Sequence, residues 1–224
     1  ESGYPEVEAL CRQWVLRILI ELGGIRGIVN DTFVSEPQLL KFLGIEFHDD
    51  PCASIQQDVV GAVRKQFLQM KGQPLALPEQ SHLLNNIRWL KGQLGLGELD
   101  VGILLLCVLE RHHIHLARAI EMTGNFSNLR LYSVISTLLE VPIEQVSKAL
   151  SAEGRLARTG LVRIDENGAF MFGAKLEMLH GLDEQLLVQQ EKPFNIFSDN
   201  FVVVSEASLD TDRFNHLQPN FDHL

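Results

Sequence analysis

Seven consecutive apolar residues, Ile103–Leu109, sit inside the segment Glu98–Glu110, just after a break marked by Gly95 and Gly97. A helix that is apolar all round is buried on most of its sides, so this segment is expected at the centre of the protein. The run is far too short to cross a bilayer. It therefore calls for neighbours from the same chain, and the flanking sequence supplies them.

Those neighbours carry helical spacing. From Val7 to Leu22 the apolar positions Val7, Leu10, Cys11, Trp14, Val15, Ile18, Leu19 and Leu22 form the stripe of an amphipathic helix, stopped by Gly23 and Gly24. A short helix is expected at Glu36–Leu43, where Ser35 and Gln38 have capping-box spacing and Pro37 suits a first turn. A third runs over about Ile55–Lys71, with Ser54 and Gln57 repeating the capping pattern. A connector over Gly72–Pro78 leads to a fourth at Glu79–Leu94. Beyond the central helix, His113–Met122 and Leu129–Leu139 read as two more. Residues 189–224 have weak periodicity and scattered aromatics, Phe194, Phe197, Phe201, Phe214 and Phe221, and read as an extended tail that packs against something.

The strongest local pattern lies in Leu131–Phe172. The stretch LYSVISTLLEVPIEQVSKAL places two short helices around a tight turn at Leu139–Val141, with Val134, Leu138, Val146 and Leu150 spaced to pack them together. Gly160 is suited to end a helical segment. LVRID and AFMF then flank Glu166-Asn167-Gly168, and Asn-Gly between two β-prone segments signals a hairpin. Helix, turn, helix and hairpin in this order is the pattern of a winged helix. The expected fold is thus mainly α: a helical N-terminal part packed with a winged helix-turn-helix that carries a small β-hairpin. The organisation expected is a helical region at 1–96, a winged-helix domain at 97–188 and a tail or linker at 189–224.

A winged helix often reads DNA, so its charge decides much. Between Asn128 and Lys175 there are six basic residues, Arg130, Lys148, Arg155, Arg158, Arg163 and Lys175, against five acidic ones. The candidates for phosphate contact are Lys148 on the second helix, Arg155 and Arg158 after it, and Arg163 at the wing. The whole chain has a formal net charge of -10, which opposes the approach of a polyanion. A module that packs against protein is favoured over a DNA reader, which stays as the alternative.

Catalytic and metal patterns do not assemble. The sequence has no GxxxxGK[ST], GxGxxG, HExxH or GxSxG. Cys11, Cys52 and Cys107 are far apart and odd in number, which points to reduced thiols in a cytoplasmic protein rather than to a disulfide framework. His112, His113 and His115 cluster, but they do not share one helix face and no second cluster completes a tetrahedral set. No catalytic, cofactor-binding or metal-binding residue is assigned, and no signal peptide or membrane span is expected.

Four segments carry a family resemblance: LNNIRWLKGQLGLGELDVGILLLCVL (Leu84–Leu109), VPIEQVSKALSAEGRLARTGLVRID (Val141–Asp165), LEMLHGLDEQLL (Leu176–Leu187) and LDTDRFNHL (Leu209–Leu217). Together they resemble the region ahead of the nucleotide-binding domain in a bacterial AAA+ ATPase family, over about Leu84–Leu224. The resemblance implies a non-catalytic regulatory, partner-binding or substrate-recognition module. ATP and Mg would belong to the parent's ATPase domain, outside these residues, and the parent would be an oligomer. A protein partner is expected; DNA is disfavoured.

Overall fold

The computed structural model of the chain describes residues 5–28, 34–46, 55–77, 81–166 and 170–201. A 3₁₀ turn at Pro5–Val7 leads into helix α1 (Glu8–Glu21), followed by α2 (Ile25–Ile28), α3 (Pro37–Phe42), α4 (Ile55–Met70) and α5 (His82–Leu94). Then come α6 (Glu98–His112), α7 (Ile114–Glu121), α8 (Asn128–Leu139), α9 (Ile143–Ala149) and α10 (Arg155–Arg158). Strand β1 (Val162–Ile164), α11 (Phe172–Lys175), β2 (Leu176–Met178), α12 (Leu182–Leu187) and a 3₁₀ turn at Pro193–Phe197 complete the order.

Residues Ile103–Leu109 of α6 are all buried, as an all-apolar helix requires. More of α1 is buried than its stripe implies. Besides Leu10, Trp14, Ile18 and Leu19, the polar Gln13 and Arg17 are also inside, because α1 packs against α4, α7 and α8 at once. Both of these side chains are hydrogen-bonded, as burial demands. Gln13 donates to the Pro74 carbonyl (3.1 Å) and accepts from the Ala76 amide (2.7 Å), which ties the 72–77 connector to α1. The buried apolar residues form one continuous cluster on both sides of the 96/97 boundary.

Local chemistry sets the ends of the elements around α6. Gly95 closes α5 with φ 64°, a left-handed conformation that favours glycine. Asp100 then accepts from the Gly97 amide (2.8 Å) and caps the start of α6. At the other end His113 takes an extended conformation, and its Nδ1 accepts from the Leu116 amide (3.3 Å), so it ends α6 and caps α7. At α3 the capping box expected from Ser35 and Gln38 does not form. Glu36 is the N-cap, and the Ser35 hydroxyl instead donates to the carbonyls of Gly27 and Ile28. Ser54, and with it the second expected box, lies outside the described residues.

The β element differs from its expectation. Strand β1 does pair in antiparallel fashion, but with Leu176–Met178, in the register Val162↔Met178, Arg163↔Glu177 and Ile164↔Leu176. Of the expected partner AFMF, Phe170–Phe172 do not form a strand: Phe172 opens α11, and the Phe170 carbonyl accepts from the Phe126 amide (3.0 Å). Phe126 and Phe172 also meet edge to face at 5.4 Å, so this segment is drawn onto the helical core instead of across from β1. Asn167 and Gly168 lie outside the described residues.

Residues 189–201 of the expected tail lie in the described part of the chain. Asn86 of α5 donates to the carbonyls of Leu186 and Val188 (both 2.9 Å), Ile196 is buried, and Phe197 packs against Trp89. These residues are folded onto α5 and α12 because their apolar side chains find a surface there. Residues 202–224, with the Leu209–Leu217 segment, lie outside the described part. Among the described residues no helix is long and apolar enough to cross a membrane.

Candidate functional site

Three of the four basic residues singled out above converge. Lys148 lies in the last turn of α9, and Arg155 and Arg158 stand one turn apart on α10. The turn between these helices is as tight as a backbone allows: a Cβ on Gly154 would lie 2.0 Å from the Ala149 carbonyl oxygen, so only glycine fits. This turn swings α10 back beside α9, and the three cations face the start of α6 across a groove of about 600 Å³. The far wall is Gly95, Gly97, Leu99 and Asp100, and Glu153 adds a second carboxylate. All three cations are exposed, and none has an ion-pair partner among the described residues.

The other basic residues of this region are committed elsewhere. Arg163 does not line the groove. It stands opposite Glu177 across the β1–β2 ladder and donates from Nε to Oε2 at 2.8 Å. That hydrogen bond holds the Arg163 pKa above its usual value and the Glu177 pKa below. Lys175 is buried and donates to the carbonyls of Asp165 and Glu166, bracing the loop after β1. Arg130 reaches back to the carbonyls of Leu22 and Thr123. Counting charges along the sequence could not separate these structural cations from the free ones.

A second concavity was not anticipated. An apolar slot of about 370 Å³ opens on the other side of Leu99, which lines both it and the basic groove. Its walls are Leu75 and Leu77 of the connector, Ile87 of α5, Val101 of α6, and Leu139 and Val141 at the α8–α9 turn, with Trp14 at the floor. Leu77 is 53% exposed, and Leu75, Leu99, Val101, Leu139 and Val141 are half-buried. The rim carries Arg88, which donates to Asn85 (3.2 Å), and the Lys91–Glu98 ion pair. The signal that was available was two leucines placed in a Pro-bounded connector, where apolar side chains have no helix of their own to complete.

The histidine cluster is taken up in packing, with His113 and His115 sharing contact with Phe42. His112 pairs with Asp183 (2.9 Å) and joins α6 to α12. His113 is buried, and burial, helped by nearby His115, lowers its pKa. His115 stacks on Phe42 at 4.6 Å. Among the described residues no group of three His, Cys, Asp or Glu side chains is placed to hold a metal ion. Cys11 and Cys107 are buried free thiols whose pKa burial pushes up to about 12, which makes them poor nucleophiles; Cys52 lies outside the described residues.

Comparison with protein-family models, with curated proteins and with solved structures finds no match for this chain.

Proposed function

We propose that this chain is a non-catalytic module that recognises a protein partner, of the kind its resemblance implies ahead of an AAA+ ATPase domain. In this reading the segment from α8 to β2 is a winged-helix unit used for protein packing. The order of α8, a tight turn, α9, α10 and a two-stranded sheet supports that assignment.

One observation carries the protein-partner reading: the unpaired cations border a groove that also holds Asp100 and Glu153 and that continues through Leu99 into an apolar slot. A duplex reader needs several cations along a stripe, each displacing counterions from a phosphate. Here Arg163 is neutralised by Glu177, and the groove continues past Leu99 into a slot lined mainly by apolar side chains. Protein interfaces have the reverse pattern, with an apolar centre and a polar rim.

The rival reading, a winged-helix DNA regulator, rests on the free Lys148, Arg155 and Arg158. Fluorescence anisotropy with a labelled mixed-sequence duplex at two salt concentrations separates the two. The expected result is no binding tighter than roughly 10⁻⁵ M at physiological salt, the non-specific range. Submicromolar binding lost in Arg158→Glu would promote the DNA reader.

A further inference from the structure

We propose that the apolar slot and the basic groove form one continuous site that takes an acidic amphipathic helix of a partner protein. The proposal rests on the protein-partner reading and specifies its chemistry.

The first argument is continuity. Leu99 lines both concavities, so a ligand that fills the slot past Leu99 meets Lys148, Arg155 and Arg158. An amphipathic helix has this character: apolar anchors at i, i+3, i+4 and i+7 on one face, charges along its edges. The anchors would bury the half-exposed Leu75, Leu77, Leu139 and Val141, which no element of the described chain covers.

The second argument is charge. On a chain of net charge -10, the rim of this surface carries four exposed cations without ion-pair partners among the described residues: Arg88 on the slot side and Lys148, Arg155 and Arg158 on the groove side. Asp100 is occupied in capping Gly97, which leaves Glu153 as the groove's carboxylate without an ion-pair partner among the described residues. A basic helix would be repelled along both edges, whereas glutamates flanking the anchors would meet these cations. Such rim pairs contribute more to choice of partner and rate of encounter than to affinity.

The test uses the full chain with Trp89→Phe, so that Trp14 at the slot floor is the only fluorophore of its kind. The probes are two synthetic helices with the same leucine anchors, one with glutamates and one with lysines at the flanking positions. The glutamate helix is expected to change Trp14 fluorescence on saturable binding, more weakly as salt rises. The lysine helix should bind at least ~10-fold more weakly. The double substitution Arg155→Glu with Arg158→Glu should reverse that preference, and Leu77→Asp should abolish both responses. These three side chains are exposed, so the variants should fold, which far-UV circular dichroism checks. Equal affinity for the two helices, indifference to both sets of substitutions, or no binding of either helix would overturn the proposal. Dimerisation of the chain alone, dissolved by Leu77→Asp, would overturn it in favour of a second copy as occupant. If the helices fail and duplex DNA binds at submicromolar concentration, the protein-partner reading falls as well; failure of the helices alone removes only this occupant.

Discussion

Arg17 of α1 and Glu140 at the end of α8 are paired at 2.9 Å, with the guanidinium almost wholly buried and the carboxylate mostly exposed. The same guanidinium donates to the carbonyls of Leu138 (3.1 Å) and Thr137 (3.4 Å), and the Trp14 indole donates to Leu138 as well (3.1 Å). The last carbonyls of a helix lack intrahelical partners and carry the negative end of its dipole. Two α1 side chains therefore cap α8 from the side, and Glu140 completes the neutralisation while holding a left-handed φ of 54°. Arg17→Met should destabilise the fold by about 3 kcal/mol, because charge-assisted hydrogen bonds to buried acceptors are lost. Glu140→Gly should change stability by less than about 1 kcal/mol, since relief of the left-handed strain offsets the lost pair. Urea denaturation of the two variants measures both, and equal effects would mean that the pair rather than the carbonyl cap is what matters.

Glycines at 154 and 160 look alike in sequence and should respond differently. At Gly154 a Cβ would overlap the Ala149 carbonyl at 2.0 Å, so Gly154→Ala forces the α9–α10 turn apart. At Gly160 there is open space and a φ of +72°, so Gly160→Ala meets only the left-handed penalty. We expect about 1 kcal/mol for Gly160→Ala and at least about 3 kcal/mol for Gly154→Ala, with the groove cations dispersed. Thermal melts rank the two; a Gly154→Ala melt no lower than that of Gly160→Ala would contradict the close approach.

Leu104 lies fully buried in the middle of α6. Leu104→Asp places an unpaired charge there and should cost about 3–5 kcal/mol or prevent folding. Leu68 of α4 is 67% exposed, and Leu68→Asp is the control that should leave the melting midpoint within a few degrees. Similar losses in both would remove α6 from its central place.

The helices were legible because their signals are local. Ile103–Leu109 declares its burial by composition alone, and Val134, Leu138, Val146 and Leu150 pack α8 on α9 as their spacing implies. The strand partner was not legible, because Phe170–Phe172 has β-prone residues whose fate is decided by Phe126, far away in the chain. The candidate site was half legible. Lys148, Arg155 and Arg158 are brought together by a glycine turn, but the commitment of Arg163 to Glu177 depends on a register that the sequence does not state. The apolar slot was hidden because five separate segments build it.

Glu110 gives a pH dependence of unusual sign. It ends the apolar run of α6, and its carboxyl packs against α11 so closely that a Cβ on Gly173 would lie 2.9 Å from Oε2. Phe126, Phe170 and Phe172 line the small pocket around it, together with Glu121. Burial pushes its pKa up to about 7, against the pull of Arg111 and with some help from Glu121. The folded state therefore prefers the protonated acid. Below about pH 4.5, the ordinary value, both folded and unfolded chains hold this proton and there is no penalty. Between there and about pH 7 the unfolded chain releases it while the folded chain keeps it, so stability falls as pH rises. Above about pH 7 the loss is complete, on the order of 3 kcal/mol. Glu110→Gln keeps the shape and removes the titration. Its stability relative to the parent should be near zero at about pH 4.5 and rise to a plateau in favour of the variant by about pH 8. Denaturant melts of both proteins across that range give the difference curve directly, and other titrating groups cancel from it. A flat difference would show that Glu110 ionises inside the fold as readily as outside.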